Sequence, residues 1–164
     1  MSSGFYRYSL YFLMAFALAF PACFGGGSDG PKNIVLGPGW HNLERSPDGK
    51  NWWLWTKDKG QIVVEVDTDV TLTMRGGVGS IQLPNKIEVT LNGQKAATWE
   101  IGGDKYEQKP FQPLPLNLKV GRNIIEFTSA NKATTIPTDT RELAIAIDDI
   151  SLTAGDGKVV FALQ

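Results

Sequence analysis

Past Pro31 the chain reads in short apolar runs with a period of two, and no segment carries a sustained helical spacing with caps. Residues 33–36 form a short apolar entry strand, and 51–56 (NWWLWT) an aromatic one. In 61–66 the residues Ile62, Val64 and Val66 fall on one face, and in 70–74 Val70, Leu72 and Met74 do so with Thr71 and Thr73 between them. Ile87, Val89 and Leu91 alternate with Glu88 and Thr90 and run into Asn92-Gly93, a strong hairpin signal, so 95–101 is the return strand. Leu114, Leu116, Leu118 and Val120 predict another strand, with Pro113 and Pro115 marking an edge or an irregular start. Gly121-Arg122-Asn123 turns into 124–128, then 143–147 and 150–153 follow, and Gly155-Asp156-Gly157 turns into 158–163. The run Gly76-Gly77-Val78-Gly79-Ser80 reads as a turn. Connections this short require antiparallel pairing, because a parallel crossover takes a dozen or more residues. The expected fold is all-β, an antiparallel β-sandwich. Three segments are long and poor in strand signal, 37–50, 102–112 and 131–142, and long loops on a rigid sandwich are where binding groups sit.

The first thirty residues have another character. Arg7 is followed by an apolar run from Leu10 to Phe20 and by small residues at Ala17, Ala19 and Ala22, the pattern of an export signal. A membrane anchor is the rival reading, since no charge occurs from Tyr8 to Gly27, although Pro21 and Gly25-Gly26-Gly27 shorten the strongly apolar part. Cys23, the single cysteine, stands directly behind this run and before a Gly/Ser/Asp stretch that reads as flexible coil. The arrangement resembles a bacterial lipoprotein signal, in which a cysteine after a small residue is lipidated and becomes the mature N-terminus. Ala22 matches that small residue, while Phe20 and Pro21 depart from the usual residues upstream. The expected organisation is a signal or anchor helix over 1–22, a lipidated Cys23 and flexible tether over 23–32, and a sandwich domain over 33–164. It implies export and a membrane anchor in the bacterial cell envelope, at the outer membrane or the cell surface.

Composition narrows the chemistry. One Cys excludes an intrachain disulfide framework and any zinc site needing several thiolates, and His41 is the only imidazole. With 16 basic and 17 acidic side chains, nothing steers the chain toward nucleic acid. No Gly-x-Ser-x-Gly elbow is present, no carboxylate pair stands out for glycoside hydrolysis, and 76–80 lacks the Gly-Lys-Ser/Thr of a phosphate loop. The expectation is no enzyme and no cofactor. Structural calcium is a minor candidate at Asp67, Asp69, Asp148 and Asp149, but no EF-hand spacing is present. Asp148 and Asp149, adjacent in a strand, reach one ion only across a bulge.

Five segments occur in a familiar order: Gly39-Trp40-His41-Asn42-Leu43-Glu44, Trp53-Leu54-Trp55-Thr56, Leu91-Asn92-Gly93-Gln94, Val120-Gly121-Arg122-Asn123-Ile124-Ile125, and Asp139 through Ile147. Over about 33–163 this order resembles the galactose-binding-like jelly-roll domains that accompany glycan-processing and cell-envelope proteins. Leu54 stands where Arg is common in them, and Ala144 where Gly is common. The resemblance implies a jelly-roll sandwich and, less directly, sugar binding, because fold alone does not fix function.

The candidate ligand residues lie in the long loops and the aromatic strand. Trp53 and Trp55 share one strand face and Trp52 and Leu54 the other, so one pair belongs to the core. Trp40, Trp53 and Trp55 are either core packing or platforms for the apolar C–H faces of a sugar. His41 and Glu44 are polar candidates in the first long loop, and Asp139 and Arg141 in the last. Arg141 can clamp a ligand through its planar fork, or pair with Glu44 or Asp139 and pin two loops together, which is the preferred reading. The partner is a glycan, the alternative being an envelope protein bound by a structural or assembly lipoprotein.

Overall fold

A strand with a two-residue period buries one face, so strands of this kind must meet in two layers with their apolar faces inward. The computed structural model describes residues 30–163 and contains fourteen strands among them. In chain order they are β1 (Asn33–Leu36), β2 (Glu44–Arg45), β3 (Trp52–Trp55), β4 (Lys59–Val66), β5 (Val70–Ser80), β6 (Asn85–Leu91) and β7 (Gln94–Ile101). The second half holds β8 (Lys109–Pro110), β9 (Leu114–Leu118), β10 (Gly121–Ser129), β11 (Thr134–Ile136), β12 (Asp139–Leu143), β13 (Ile145–Ala154) and β14 (Val159–Ala162). The signal or anchor segment 1–22, the lipidation candidate Cys23 and most of the tether 23–32 lie outside the described residues. The tether's last residue already joins the sandwich, where the Lys32 amide donates to the Glu65 carbonyl at 2.8 Å.

The fold is an antiparallel β-sandwich. One sheet has the order β1-β4-β10-β6-β7. The other has the order β2-β3-β13-β5-β8, with β14 beside β13 and β9 beside β5, and β11 and β12 form a separate hairpin. Ile62, Val64, Ile87, Val89, Ile125 and Phe127 from the first sheet meet Leu54, Leu72, Met74, Ile145, Ile147 and Leu152 from the second, all 0–1 % exposed. With Thr56, Ser80, Asn85 and Ser129, Asn123 is one of five buried polar residues among the described residues. Its Nδ2 donates to the carbonyls of Lys119 and Gly121, and its Oδ1 accepts from Asn92 Nδ2 and the Lys119 amide, so its full burial leaves no group unpaired.

Three details of the sequence reading need correction. Residues 76–80 are not a turn but the second half of β5, paired with β13 from Gly77↔Asp148 to Ser80↔Ile145. The predicted strands 143–147 and 150–153 are not two strands broken at the aspartates. Leu143 ends β12, and Ile145–Ala154 is one strand whose register against β5 shifts between Asp148 and Ser151. Asp149, at φ 45°, is the residue that absorbs the extra position, which restores Ile150 and Leu152 to the core face. The strand-poor segments also carry pairing of their own: β2 in the first, β8 in the second and the β11–β12 hairpin in the third.

Candidate functional site

The outer face of the second sheet is built from two cross-strand rows. Trp55, Ala146 and Gly79 stand opposite one another in the first, and Trp53, Asp148 and Gly77 in the second. The alternation of β3 decides the walls. Leu54 and Trp52 pack on the core, and Trp53 and Trp55 turn outward with Ala146 and Leu143. The floor beside them is nearly without side chains, because β5 offers glycines there. A Cβ on Gly79 would come within 2.9 Å of the Tyr106 ring and 3.1 Å of Gln108 Cγ. The glycine therefore lets residues 106–108 lie against the sheet. Tyr106 meets Trp55 at 5.6 Å between ring centroids and 35° between planes.

These elements enclose an open groove of about 310 Å³. Trp53, Trp55 and Tyr106 are its aromatic walls, Ile136 and Leu143 add apolar surface, and Glu44, Gln108, Thr138, Asp139 and Arg141 present polar groups. The β11–β12 hairpin brings in Thr138, Asp139 and Arg141, and β2 brings in Glu44.

Arg141 ties these pieces together. Its Nε lies 3.0 Å from both Asp139 carboxylate oxygens, its Nη2 donates to Asp139 Oδ2 at 2.6 Å, and its Nη1 donates to Glu44 Oε1 at 2.7 Å. Glu44 Oε2 accepts from the Trp53 indole N–H at 3.2 Å, so the chain of bonds runs from the hairpin through β2 to the aromatic wall. The Arg141 hydrogen bonds hold the Asp139 carboxyl down at about 2, and the two carboxylates raise the guanidinium in turn. Burial, with the negative charges of Asp148 and Glu44 behind it, pushes the Tyr106 phenol up. Burial and the neighbouring Asp149 raise Asp148.

Of the residues singled out in the sequence, Glu44, Trp53, Trp55, Asp139 and Arg141 converge on this groove. Trp40 does not line it. It forms an isolated bridge with Thr56, lies edge-on to Phe127 at 5.8 Å, and donates its indole N–H to the Gln61 carbonyl at 2.6 Å. It is a packing residue lodged over Gly60, where a Cβ would meet its ring at 2.7 Å. His41 does not line the groove either. Its Nε2 donates to the Glu142 carbonyl at 2.9 Å and so fastens the first loop to β12. Tyr106, Gln108 and Thr138 are groove residues that the pattern of the sequence did not single out. Their signal is position alone, in the strand-poor segments 102–112 and 131–142. Among the described residues no group of three or more His, Cys, Asp or Glu side chains converges as a metal site. Asp69 is engaged by Lys119, Asp67 by Lys32, and Asp149 by the Trp52 amide, so the calcium candidates do not assemble.

No protein-family model matches the chain, and no curated protein matches it. Solved structures do. The GH26-CBM35 β-(1,4)-mannanase of Podospora anserina is similar to it at 17% identity and a TM-score of 0.44, over 77% of this chain and 28% of that one, so the chain spans less than a third of the mannanase. A family 35 carbohydrate binding module from an environmental isolate is similar at 18% identity and a TM-score of 0.42, over 76% of this chain and 94% of that one. A family 35 carbohydrate binding module from Clostridium thermocellum is similar at 14% identity and a TM-score of 0.40, over 74% of this chain and 92% of that one.

Proposed function

We propose that the chain is a non-catalytic carbohydrate-binding protein that takes a glycan in the groove between Trp53, Trp55 and Tyr106. The observation that carries the reading is the combination of three aromatic rings with polar groups fixed in advance on one exposed sheet face. Sugar rings present apolar C–H faces and hydroxyl edges, and such a surface stacks the first while bonding the second. The Arg141 clamp supports it further, because Glu44, Asp139 and Trp53 are held in place before any ligand arrives and lose little freedom on binding. Titration of the full chain with soluble glycans, including envelope polysaccharides, should quench or shift Trp fluorescence and give heat by calorimetry. Trp55→Ala should weaken binding by at least tenfold. Silence across the whole panel refutes the reading.

The proposal extends to location: a lipoprotein, lipidated at Cys23 and anchored in the bacterial cell envelope at the outer membrane or the cell surface. Cys23→Ser should release it from membranes, and a variant that stays bound would sink the lipid anchor. A second reading, a structural lipoprotein that meets an envelope protein, has one observation in its favour. Edge strand β1 exposes Val35 and Leu36 at 44% and 39%. Co-purification of one envelope protein, lost on changing Val35 and Leu36 to Lys, would support that reading over the first.

A further inference from the structure

Asp148 carries an anomaly. Its Oδ1 is buried, and no hydrogen bond reaches it among the described residues. Buried carboxylate oxygens are almost always bonded, because an unpartnered one forfeits its hydration and gains nothing in return. The surroundings are arranged around this carboxyl rather than against it. Gly77 stands opposite in β5, and a Cβ there would lie 2.1 Å from Oδ1. Trp53 flanks it on the other side, and Pro110 of β8 stands beyond Gly77, so this row holds no cation, and its one side-chain N–H, on Trp53, is given to Glu44. Asp149, next in the chain, adds a second negative charge, and the cations of the surrounding elements, Arg75 of β5, Lys109 of β8 and Arg141 on Glu44, do not bond Oδ1.

The next row toward the groove holds Tyr106 over Gly79. Tyr106 belongs to residues 102–107, which make no backbone hydrogen bond to the other described residues and begin at Gly102-Gly103, with Gly103 at φ 122°. Its phenol makes no hydrogen bond to another described residue, and Tyr106 is 42% exposed. The stack on Trp55 holds the ring in place. A segment so thinly attached opens at low free-energy cost.

We propose that Asp148 is the concealed polar anchor of the groove, and that residues 102–107 form a strap whose Tyr106 swings aside to let a sugar hydroxyl donate to the Asp148 carboxylate. The inference rests on the carbohydrate reading of the same groove. In the closed state Tyr106 occupies Trp55. In the open state a sugar ring takes the place of the phenol on the indole, and the carboxylate gains the donors it lacks. Selectivity for a hydroxyl at that position follows, because an analogue without that donor leaves Oδ1 unpaired.

Two arms test this on the full chain. The first needs no ligand: carbon-13 NMR follows the titration of the Asp148 carboxyl in the wild type, Tyr106→Phe and Tyr106→Ala. Removing the ring should move the Asp148 midpoint down toward an ordinary aspartate, and Tyr106→Phe should leave it in place. An Asp148 that titrates alike in all three overturns the strap, whatever sugars bind. The second arm measures xylotriose, mannotriose and cellotriose by calorimetry. Asp148→Asn and Asp148→Ser, each confirmed as folded by its melt, should weaken the best of the three by at least tenfold while the Trp55 stack still gives a fluorescence change. Equal affinity in wild type and both variants overturns the anchor. A wild type that binds none of the probes would refute a sugar as occupant, and the first arm tells that failure from a failed strap.

Discussion

Replacing Gly77 by Ala is the sharpest test of how the groove floor is built. The backbone there is ordinary extended strand, so alanine meets no conformational penalty, and the effect reduces to the space that its Cβ would take. That space is occupied. The Asp148 carboxyl has Oδ1, Cγ and Oδ2 at 2.1, 2.8 and 2.9 Å from the added carbon, all well inside van der Waals contact. The carboxyl must rotate away or the two strands must separate, and β5 and β13 form the longest ladder of the second sheet. Overpacking a closed site by one carbon costs about 2 kcal/mol, within a range of ~1–3. For a domain of this size the loss lowers the melting temperature by about 7 °C. Asp148→Ala should remove the obstacle at small cost, because the lost oxygen had no partner to lose. Gly77→Ala in the Asp148→Ala background should then cost less than about 0.5 kcal/mol, a coupling of roughly 1.5 kcal/mol across the pair. Urea unfolding of the four proteins at neutral pH measures it. If Gly77→Ala costs the same with and without the Asp148 carboxyl, the carboxyl is not what fills the floor and the reasoning is refuted.

Three further predictions concern charge and the buried polar core. The folded-state pKa of Asp148 is raised above the ordinary 3.8 by burial and then by Asp149. Its contribution to stability is therefore complete below 3.8 and declines as pH rises through the folded value. Melts from pH 3.5 upward should show this decline, and Asp148→Asn should flatten it. Asp139 has the opposite sign, because Arg141 lowers it to about 2. Its contribution is complete above 3.8 and lost as pH falls toward 2, a low-pH limb that Asp139→Asn should remove. Asn123→Ala leaves the Lys119 amide and the Lys119 and Gly121 carbonyls of the β9–β10 turn without their side-chain partner and should destabilise by about 1–2 kcal/mol in urea unfolding. A loss under 0.5 kcal/mol would mean that water replaces the side chain.

Much of the sandwich was legible because its strands alternate strictly. Ile62-Val64-Val66, Leu72-Met74 and Ile87-Val89 are spaced by two in the sequence and are buried together in the core. The reading failed where side chains stop carrying the period. In β5 the positions that face the groove floor are Gly77 and Gly79, and a glycine has no hydropathy to alternate, so a strand looked like a turn. In β13 the spacing from Ile147 to Ile150 is three rather than two. The sequence shows that slip plainly, but a break between strands and a bulge within one strand produce the same slip. Only the pairing of β13 with β5 on both sides of Asp149 decides for the bulge.

The candidate site divides along the same line. Trp53 and Trp55 could be placed on one face by period alone, and Glu44, Asp139 and Arg141 could be picked out as loop charges able to pair. Trp40 and His41, chosen by the same logic from the same loop, are spent on backbone carbonyls, because an isolated bridge to Thr56 fixes how that loop meets β3. Nothing local in the sequence encodes that bridge. The floor was the least legible part, and for a physical reason. A groove in a sheet is made by leaving side chains out, at Gly77, Ala146 and Gly79, and an omission says nothing about what fills it. Here the fillers come from far along the chain, Tyr106 from a connection without backbone bonds to the other described residues and Asp148 from the edge of a bulge. Were the vacancy only a packing device, a larger residue on β5 could fill it without burying an unpaired carboxylate. The protein instead keeps two glycines, a loosely held ring and an acceptor that no described residue bonds on one face, the arrangement that the proposed hydroxyl donor would complete.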